Sequence, residues 1–164
     1  PLTANKTRVT DSSGALSVTV PAGWVAHKSG PLGAKLLLYG PEHGGIRVNI
    51  NLATETTWGL SLADYQRISE RNAPRLMTGY KLVSKRRTTL SGVPAYEMVY
   101  EGIFGTPPST LKFKGVFAIR RNTAYILTYT APQSGYHRYL KTFESVLKSV
   151  KWLHRERTGR SASR

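Results

Sequence analysis

Regular alternation of apolar and polar residues marks the strands of this chain. The segment 46–53 is the clearest case, because Ile46, Val48, Ile50 and Leu52 are separated by polar residues, as in a half-buried strand. Alternation, or enrichment in Tyr, Ile and Thr, predicts the other strands. These strands cover residues 15–20, 24–26, 35–39, 80–90, 95–103, 110–120 and 123–130.

A first helix is predicted where the period changes after residue 60. Leu62, Tyr65 and Ile68 recur at helical spacing, and Ser61 is a suitable N-cap, with Asp64 three residues later. Pro74 is expected to kink this helix or end it early, because proline has no amide hydrogen to donate within a helix.

A second helix follows the last strand, which Pro132 is expected to end. Apolar residues return at intervals of three and four, which is the stripe of a helix packed on a sheet. We expect Ser134 to cap this helix. The stripe consists of Tyr136, Leu140, Phe143, Leu147 and Val150.

The order of the elements predicts the fold class. Strands, a helix, an antiparallel meander and a second helix give an α+β fold, in which helices flank a central antiparallel sheet. Arg121-Asn122 has the length of a two-residue hairpin turn. We divide the chain into a polar N-terminal arm (1–13), one folded domain (14–152) and a basic C-terminal tail (153–164).

Charge is the strongest compositional signal. The chain has 24 Lys and Arg against 9 Asp and Glu, a net charge of +15 at neutral pH. Removing residues 151–164 leaves +11, so the folded body is itself basic. Such a field attracts nucleic acid, anionic lipid or an acidic protein surface.

The basic residues on two predicted strands form a candidate partner-binding patch. If the strands are neighbours, one sheet edge carries dense positive charge; the alternative is ordinary solvated charge that protects an edge from aggregation. The patch residues are Lys81, Lys85, Arg86, Arg87, Lys112, Lys114, Arg120 and Arg121. The tail adds Arg155, Arg157, Arg160 and Arg164.

The sequence offers no recognisable catalytic constellation. There is no cysteine, which excludes disulfides, cysteine-bound zinc and a thiol nucleophile. Glu97 and Glu101 share a strand face about 13 Å apart, too far for a close dyad, and we expect both to be exposed and paired with basic residues. The four histidines lack ligand spacing, and no nucleophile elbow or P-loop occurs. We therefore predict a protein that is not an enzyme and needs no metal or cofactor.

Several short motifs, weak one by one, occur in an order that resembles a known family. Val20-Pro21-Ala22-Gly23-Trp24 ends a strand in a P-x-G-W turn, and Ser61-Leu62 opens the first helix. A Leu-x-Gly turn leads to an aromatic strand, and a Tyr-rich strand leads into the last helix. These motifs lie at 89–100, 125–132, 139–143 and 146–150. Across residues 14–152 the chain resembles the PsbP branch of the Mog1/PsbP-like superfamily.

The resemblance implies a fold, a location and a function. Members of this family have a central antiparallel sheet with helices on both sides and are mostly not enzymes. The PsbP branch assists photosystem assembly and oxygen evolution, so the resemblance predicts an exported protein of the periplasm or thylakoid lumen. This chain departs from the pattern in its net charge of +15 and in the short arm before Ser13. The ion-retention role of the longer arm in plant members is therefore not carried over.

Three functional hypotheses follow. In the first, the protein is an accessory subunit that docks its basic surface on an acidic or membrane-embedded complex, or on an anionic lipid surface. In the second, it binds nucleic acid, with tyrosines such as Tyr80, Tyr96 and Tyr100 stacking on bases. In the third, it is a small-ligand or chaperone-like carrier with a pocket between sheet and helix. No apolar run in the sequence approaches the roughly 20 residues that span a bilayer.

Overall fold

The computed structural model describes residues 7–153. This part of the chain forms ten strands and two α-helices. They are β1 (Arg8–Thr10), β2 (Leu16–Thr19), β3 (Val25–His27), β4 (Leu36–His43), β5 (Ile46–Thr56), α1 (Leu62–Leu76), β6 (Lys81–Leu90), β7 (Val93–Phe104), β8 (Ser109–Arg120), β9 (Thr123–Pro132), α2 (Tyr136–Ser149) and β10 (Lys151–Trp152).

The strands form two antiparallel sheets. The large sheet has seven strands in the order β3-β4-β5-β9-β8-β7-β6, so β3 and β6 are its edges. The small sheet has the order β1-β2-β10, which brings the two ends of the described chain together.

The large sheet carries a layer on each face. On the α2 face, Phe143 and Val146 of α2 and Leu16 of β2 pack against Leu127 and Val116 of the sheet. On the α1 face, Tyr65 packs against a smaller cluster that includes Met98 and Phe117. The predicted α+β sandwich, a central antiparallel sheet flanked by helices, is confirmed.

The ends of the two helices confirm one predicted N-cap and contradict the other. Ser61 caps α1 as predicted, because its hydroxyl accepts a hydrogen bond from the Asp64 amide at 3.1 Å. The helix nevertheless continues through Pro74 to Leu76, since a proline in the last turn removes only one backbone bond. The predicted cap Ser134 is wrong: a 3₁₀ turn over Gln133–Gly135 leads into α2, and Gly135 is its N-cap residue.

The predicted N-terminal arm contributes to the fold from residue 8 onward. Strand β1 pairs with β2, and Asp11 is only 3% exposed. The Asp11 carboxylate accepts hydrogen bonds from the amides of Ser13 and Ala15, each at 2.8 Å, and of Leu16 at 3.0 Å. This carboxylate therefore organises the turn between β1 and β2. The remaining residues of the predicted arm, 1–6, lie outside the described part of the chain.

One predicted turn is confirmed, and one predicted strand is longer than expected. Arg121-Asn122 is the two-residue hairpin turn, with φ of +48° and +62°, as a type I′ turn requires. Strand β4 was predicted to end at residue 39, but it continues through Gly40-Pro41, where the pairing with β5 shifts between Tyr39 and Glu42. A proline fits inside a strand at such an irregularity because it has no ladder bond to donate.

Candidate functional site

The eight basic residues predicted to form one patch are divided among three places. Lys81, Lys85, Arg86 and Arg87 lie on the edge strand β6. Lys112 and Lys114 lie on the central strand β8, and β7 separates them from β6. Arg120 and Arg121 lie at the β8–β9 turn, beside a cavity of about 390 Å³. The four tail arginines, at 155, 157, 160 and 164, lie outside the described residues.

Lys114 and Glu97 form a buried ion pair on the α2 face. Each residue is 7% exposed, and the Lys114 Nζ lies 3.0 Å from Glu97 Oε1. Arg86 Nε lies 2.6 Å from the other carboxylate oxygen, and Glu144 of α2 is 3.7 Å from Lys114. The expectation that Glu97 is an exposed carboxylate is wrong, because strand alternation turns it inward toward α2.

The charges of Glu97, Arg86 and Lys114 stabilise one another within the fold. Burial raises the pKa of Glu97, but hydrogen bonds from Arg86 and Lys114 outweigh burial and hold the pKa below its ordinary value. The Lys114 ammonium is thus enclosed and neutralised, which removes it from any surface that a partner could contact.

Most of the remaining cations are held by local contacts. Lys85 lies 2.8 Å from Glu70 of α1 and, through its hydrogen bond, lowers the pKa of that carboxyl. Three others lie over aromatic rings, 4.6 to 5.5 Å from the ring centroids. These are Arg87 over Tyr96, Lys112 over Tyr136 and Arg120 over Trp152.

The exposed cations of β6 form the most continuous charged surface among the predicted residues. We call Lys81, Lys85, Arg86 and Arg87, with Val83 between them, the β6 edge; all five are exposed. Val83 lies where the pairing with β7 shifts, and such bulges are common on edge strands. The strand has no neighbour on its outer side within residues 7–153, so its backbone is accessible there too.

Tyrosines that were candidates for base stacking are buried or half-buried and pack against other rings of the protein. Tyr129 is fully buried, and its hydroxyl donates to the Tyr136 carbonyl at 2.7 Å. Tyr96 stacks on Phe117, and Tyr100 stacks on Phe113. These rings contribute to the core rather than to an open stacking surface.

A cavity whose position the sequence patterns did not predict lies between α1 and the sheet. Its volume is about 480 Å³, and its walls include Tyr65 and Leu76 of α1 with Met98, Phe117 and Ile126 of the sheet. The third hypothesis required such a space, and the α1 face provides it. The sequence signal that could have found it is Gly115, a glycine in the middle of a strongly apolar strand.

Residues 7–153 contain neither a candidate membrane-spanning helix nor a candidate metal-binding cluster. No helix in that range is long and apolar enough to cross a membrane. Within the same residues, no group of three or more His, Asp or Glu side chains could together hold a metal ion.

Comparisons with known proteins identify the fold. No protein-family model matches the chain, and no curated protein matches its sequence. The solution structure of cyanobacterial PsbP from Synechocystis has a TM-score of 0.65 and 12% identity, and the alignment covers 93% of this chain and 95% of that one.

Two other solved structures show the same likeness. LpqN of Mycobacterium tuberculosis, which is involved in cell envelope biogenesis, has a TM-score of 0.61 and 11% identity, with 93% and 88% of the two chains covered. A Pseudomonas aeruginosa protein of unknown function has a TM-score of 0.64 and 17% identity, with 94% and 100% covered. The predicted Mog1/PsbP-like fold is confirmed at the level of architecture.

Proposed function

We propose that this chain, which has the Mog1/PsbP-like fold, is a non-enzymatic accessory protein that binds an acidic protein complex through its β6 edge. The observation that carries the proposal is the row of four exposed cations on a strand whose outer side is unpaired within the described chain. The proposed location is outside the cytoplasm, in the periplasm or thylakoid lumen. Support for it comes from cyanobacterial PsbP and from LpqN, which is involved in cell envelope biogenesis.

The overall charge favours an acidic partner over a second copy of the chain. Residues 7–153 carry nineteen Lys and Arg against eight Asp and Glu, a difference of +11. Two such edges repel each other, and lysines on an edge strand oppose pairing between copies. An acidic surface is attracted to the same edge, which raises the rate of association and aligns the partners.

Not every cation of the β6 edge is equally free to act. Lys85 and Arg86 are already paired with Glu70 and Glu97. Lys81 and Arg87 make no ion pair with any residue in the described range, so we expect them to provide most of the attraction.

Reversing these two charges tests the docking surface. We expect Lys81→Glu/Arg87→Glu to slow association with the partner by at least about tenfold at low salt, and added salt to weaken wild-type binding in the same way. The measurement is pull-down from extracts of the organism that makes the protein, followed by binding kinetics with the purified partner.

A control at the opposite side of the sheet matches this variant closely. Lys28 and Arg47 are both exposed, and Arg47 lies 5.4 Å from the ring centroid of Tyr39, much as Arg87 lies over Tyr96. Lys28→Glu/Arg47→Glu makes the same change in net charge and should retain most of the binding. Equal loss in both double variants would mean that total charge, not the β6 edge, determines association.

A gel-shift series with oligonucleotides separates the nucleic-acid hypothesis from this proposal. We expect no shift at physiological salt, because the tyrosines pack against other rings of the protein and offer no open platform for stacking bases. Binding with a steep log–log dependence on salt concentration would instead identify nucleic acid as the partner.

A further inference from the structure

Gly115 forms part of the wall of the cavity beneath α1. It lies in the middle of β8 with regular partners, Met98 on β7 and Thr128 on β9, so no bulge explains it. A β-carbon built there would meet nothing closer than the Thr128 hydroxyl and the Tyr100 ring, both at 3.9 Å. Glycine weakens a strand, and inside one it often marks the close approach of a ligand.

The walls above Gly115 are apolar, and the rim exposes large side chains. The cavity of about 480 Å³ lies within the size range of small-molecule sites. At its edge Trp58 is 88% exposed and Leu76 is 84% exposed. Covering large apolar side chains such as these lowers the free energy, so contact with them would stabilise a ligand at the mouth of the cavity.

Two hydroxyls on the cavity wall are buried without a protein partner. Thr57 is 1% exposed, and its Oγ1 makes no hydrogen bond with residues 7–153. The hydroxyl of Tyr80 is equally enclosed and equally without a partner in that range. Both residues line the same cavity. Because buried polar atoms are nearly always hydrogen-bonded, these hydroxyls indicate a ligand that carries a hydrogen-bonding group.

The charge near the cavity restricts what that group can be. Glu55 lines the cavity, and its carboxylate accepts a hydrogen bond from the Tyr65 hydroxyl at 2.5 Å. Burial first, and this carboxylate second, raise the pKa of Tyr65, so its hydroxyl keeps its proton at neutral pH. A second carboxylate beside Glu55 would be repelled, so we expect the site to prefer a neutral group to a fatty-acid anion.

From these contacts we propose that the cavity beneath α1 binds a small neutral amphiphile. Its apolar body lies between α1 and the sheet, on the side of Gly115, and its hydroxyl or carbonyl group bonds to Thr57. The site is on the α1 face and is separate from the β6 edge, so the two proposals can fail independently.

Fluorescence of the neutral probe N-phenyl-1-naphthylamine tests the site. We expect enhancement with the full chain, and displacement by decan-1-ol at concentrations at least about tenfold below those needed with decanoate. Absence of enhancement, or displacement by decanoate as effective as by decan-1-ol, would overturn the proposal.

A cavity-filling variant separates ligand binding from folding. Gly115→Val places methyl groups in open space on a strand, so thermal stability should stay the same or rise, while probe affinity should fall at least about tenfold. Ser84→Val, on the α2 side of β6, is the control and should bind as wild type. If valine at 115 prevents folding, Gly115→Ala is measured instead, and unchanged affinity in a folded variant would refute the site.

A second variant tests the hydrogen bond. Thr57→Val keeps the shape but removes the buried hydroxyl, so the chain should be at least as stable. Its affinity for decan-1-ol should fall several-fold, while its affinity for the probe should change less. Equal retention of both ligands would show that Thr57 does not contact the polar group.

Discussion

Replacing Glu97 by alanine is expected to lower the free energy of unfolding by about 3–5 kcal/mol. The variant leaves the Lys114 ammonium buried, with Glu144 at 3.7 Å as its nearest carboxylate in the described chain. This more distant and more exposed carboxylate compensates the buried ammonium only weakly, and a poorly compensated charge in the interior is strongly destabilising. Urea denaturation measures the loss directly through the midpoint and slope.

Two further variants show whether the loss of stability comes from the buried ion pair. Glu101→Ala removes a half-buried carboxylate four residues along the same strand, hydrogen-bonded by Gln133, and should cost about 1 kcal/mol or less. Glu97→Leu/Lys114→Met replaces the buried pair by apolar side chains and should recover much of the stability. A loss below about 1 kcal/mol for Glu97→Ala would show that Lys114 reaches water.

The same pair predicts how stability depends on pH. The folded-state pKa of Glu97 is lowered, so the pair contributes fully above the ordinary carboxyl range, and its contribution is lost as pH falls through the folded pKa. Wild type should therefore lose more stability than Glu97→Leu/Lys114→Met on acidification below about pH 4. Parallel pH profiles of the two proteins would contradict this assignment.

Replacing Asp11 by alanine is the second large effect, a loss of about 3 kcal/mol. Three amides, those of Ser13, Ala15 and Leu16, lose their charged acceptor at once, and the turn that pairs β1 with β2 loses its organiser. Thermal unfolding with matched urea curves measures the effect.

Asp64 provides the matched control for this substitution. It is a partly exposed aspartate near the start of α1, and it pairs with the exposed Arg67. Asp64→Ala should cost only about 0.5 kcal/mol, since exposed ion pairs contribute little. Similar losses for Asp11→Ala and Asp64→Ala would mean that residues 8–13 are a dispensable arm, as their sequence first indicated.

Periodicity and turn chemistry carried most of the fold prediction. Alternation in β5 and the helical stripe of α2 depend only on which face is buried, and neighbouring residues set that locally. Arg121-Asn122 was predictable because only two residues separate two strong strands. From the order of these elements, an antiparallel sheet flanked by helices could then be predicted.

Short and register-dependent features were beyond sequence reasoning. Strand β1 has three residues, too few for a period to show, and Asp11 resembles any loop acid until its burial is known. Lys114 resembles Lys112 in sequence, yet only the register of β7 and β8 and the position of α2 bring it against Glu97 and Glu144. The cavity likewise depends on where α1 lies across the sheet.

Site-specific photo-crosslinking tests the docking surface most directly. Val83 lies on the β6 edge and is 45% exposed, while Val25 lies on the opposite edge strand β3 and is 49% exposed. With a photoreactive residue at each position in turn, we expect an acidic protein to be trapped from position 83 and lost at high salt. Trapping from position 25 with equal or greater yield would contradict docking through the β6 edge.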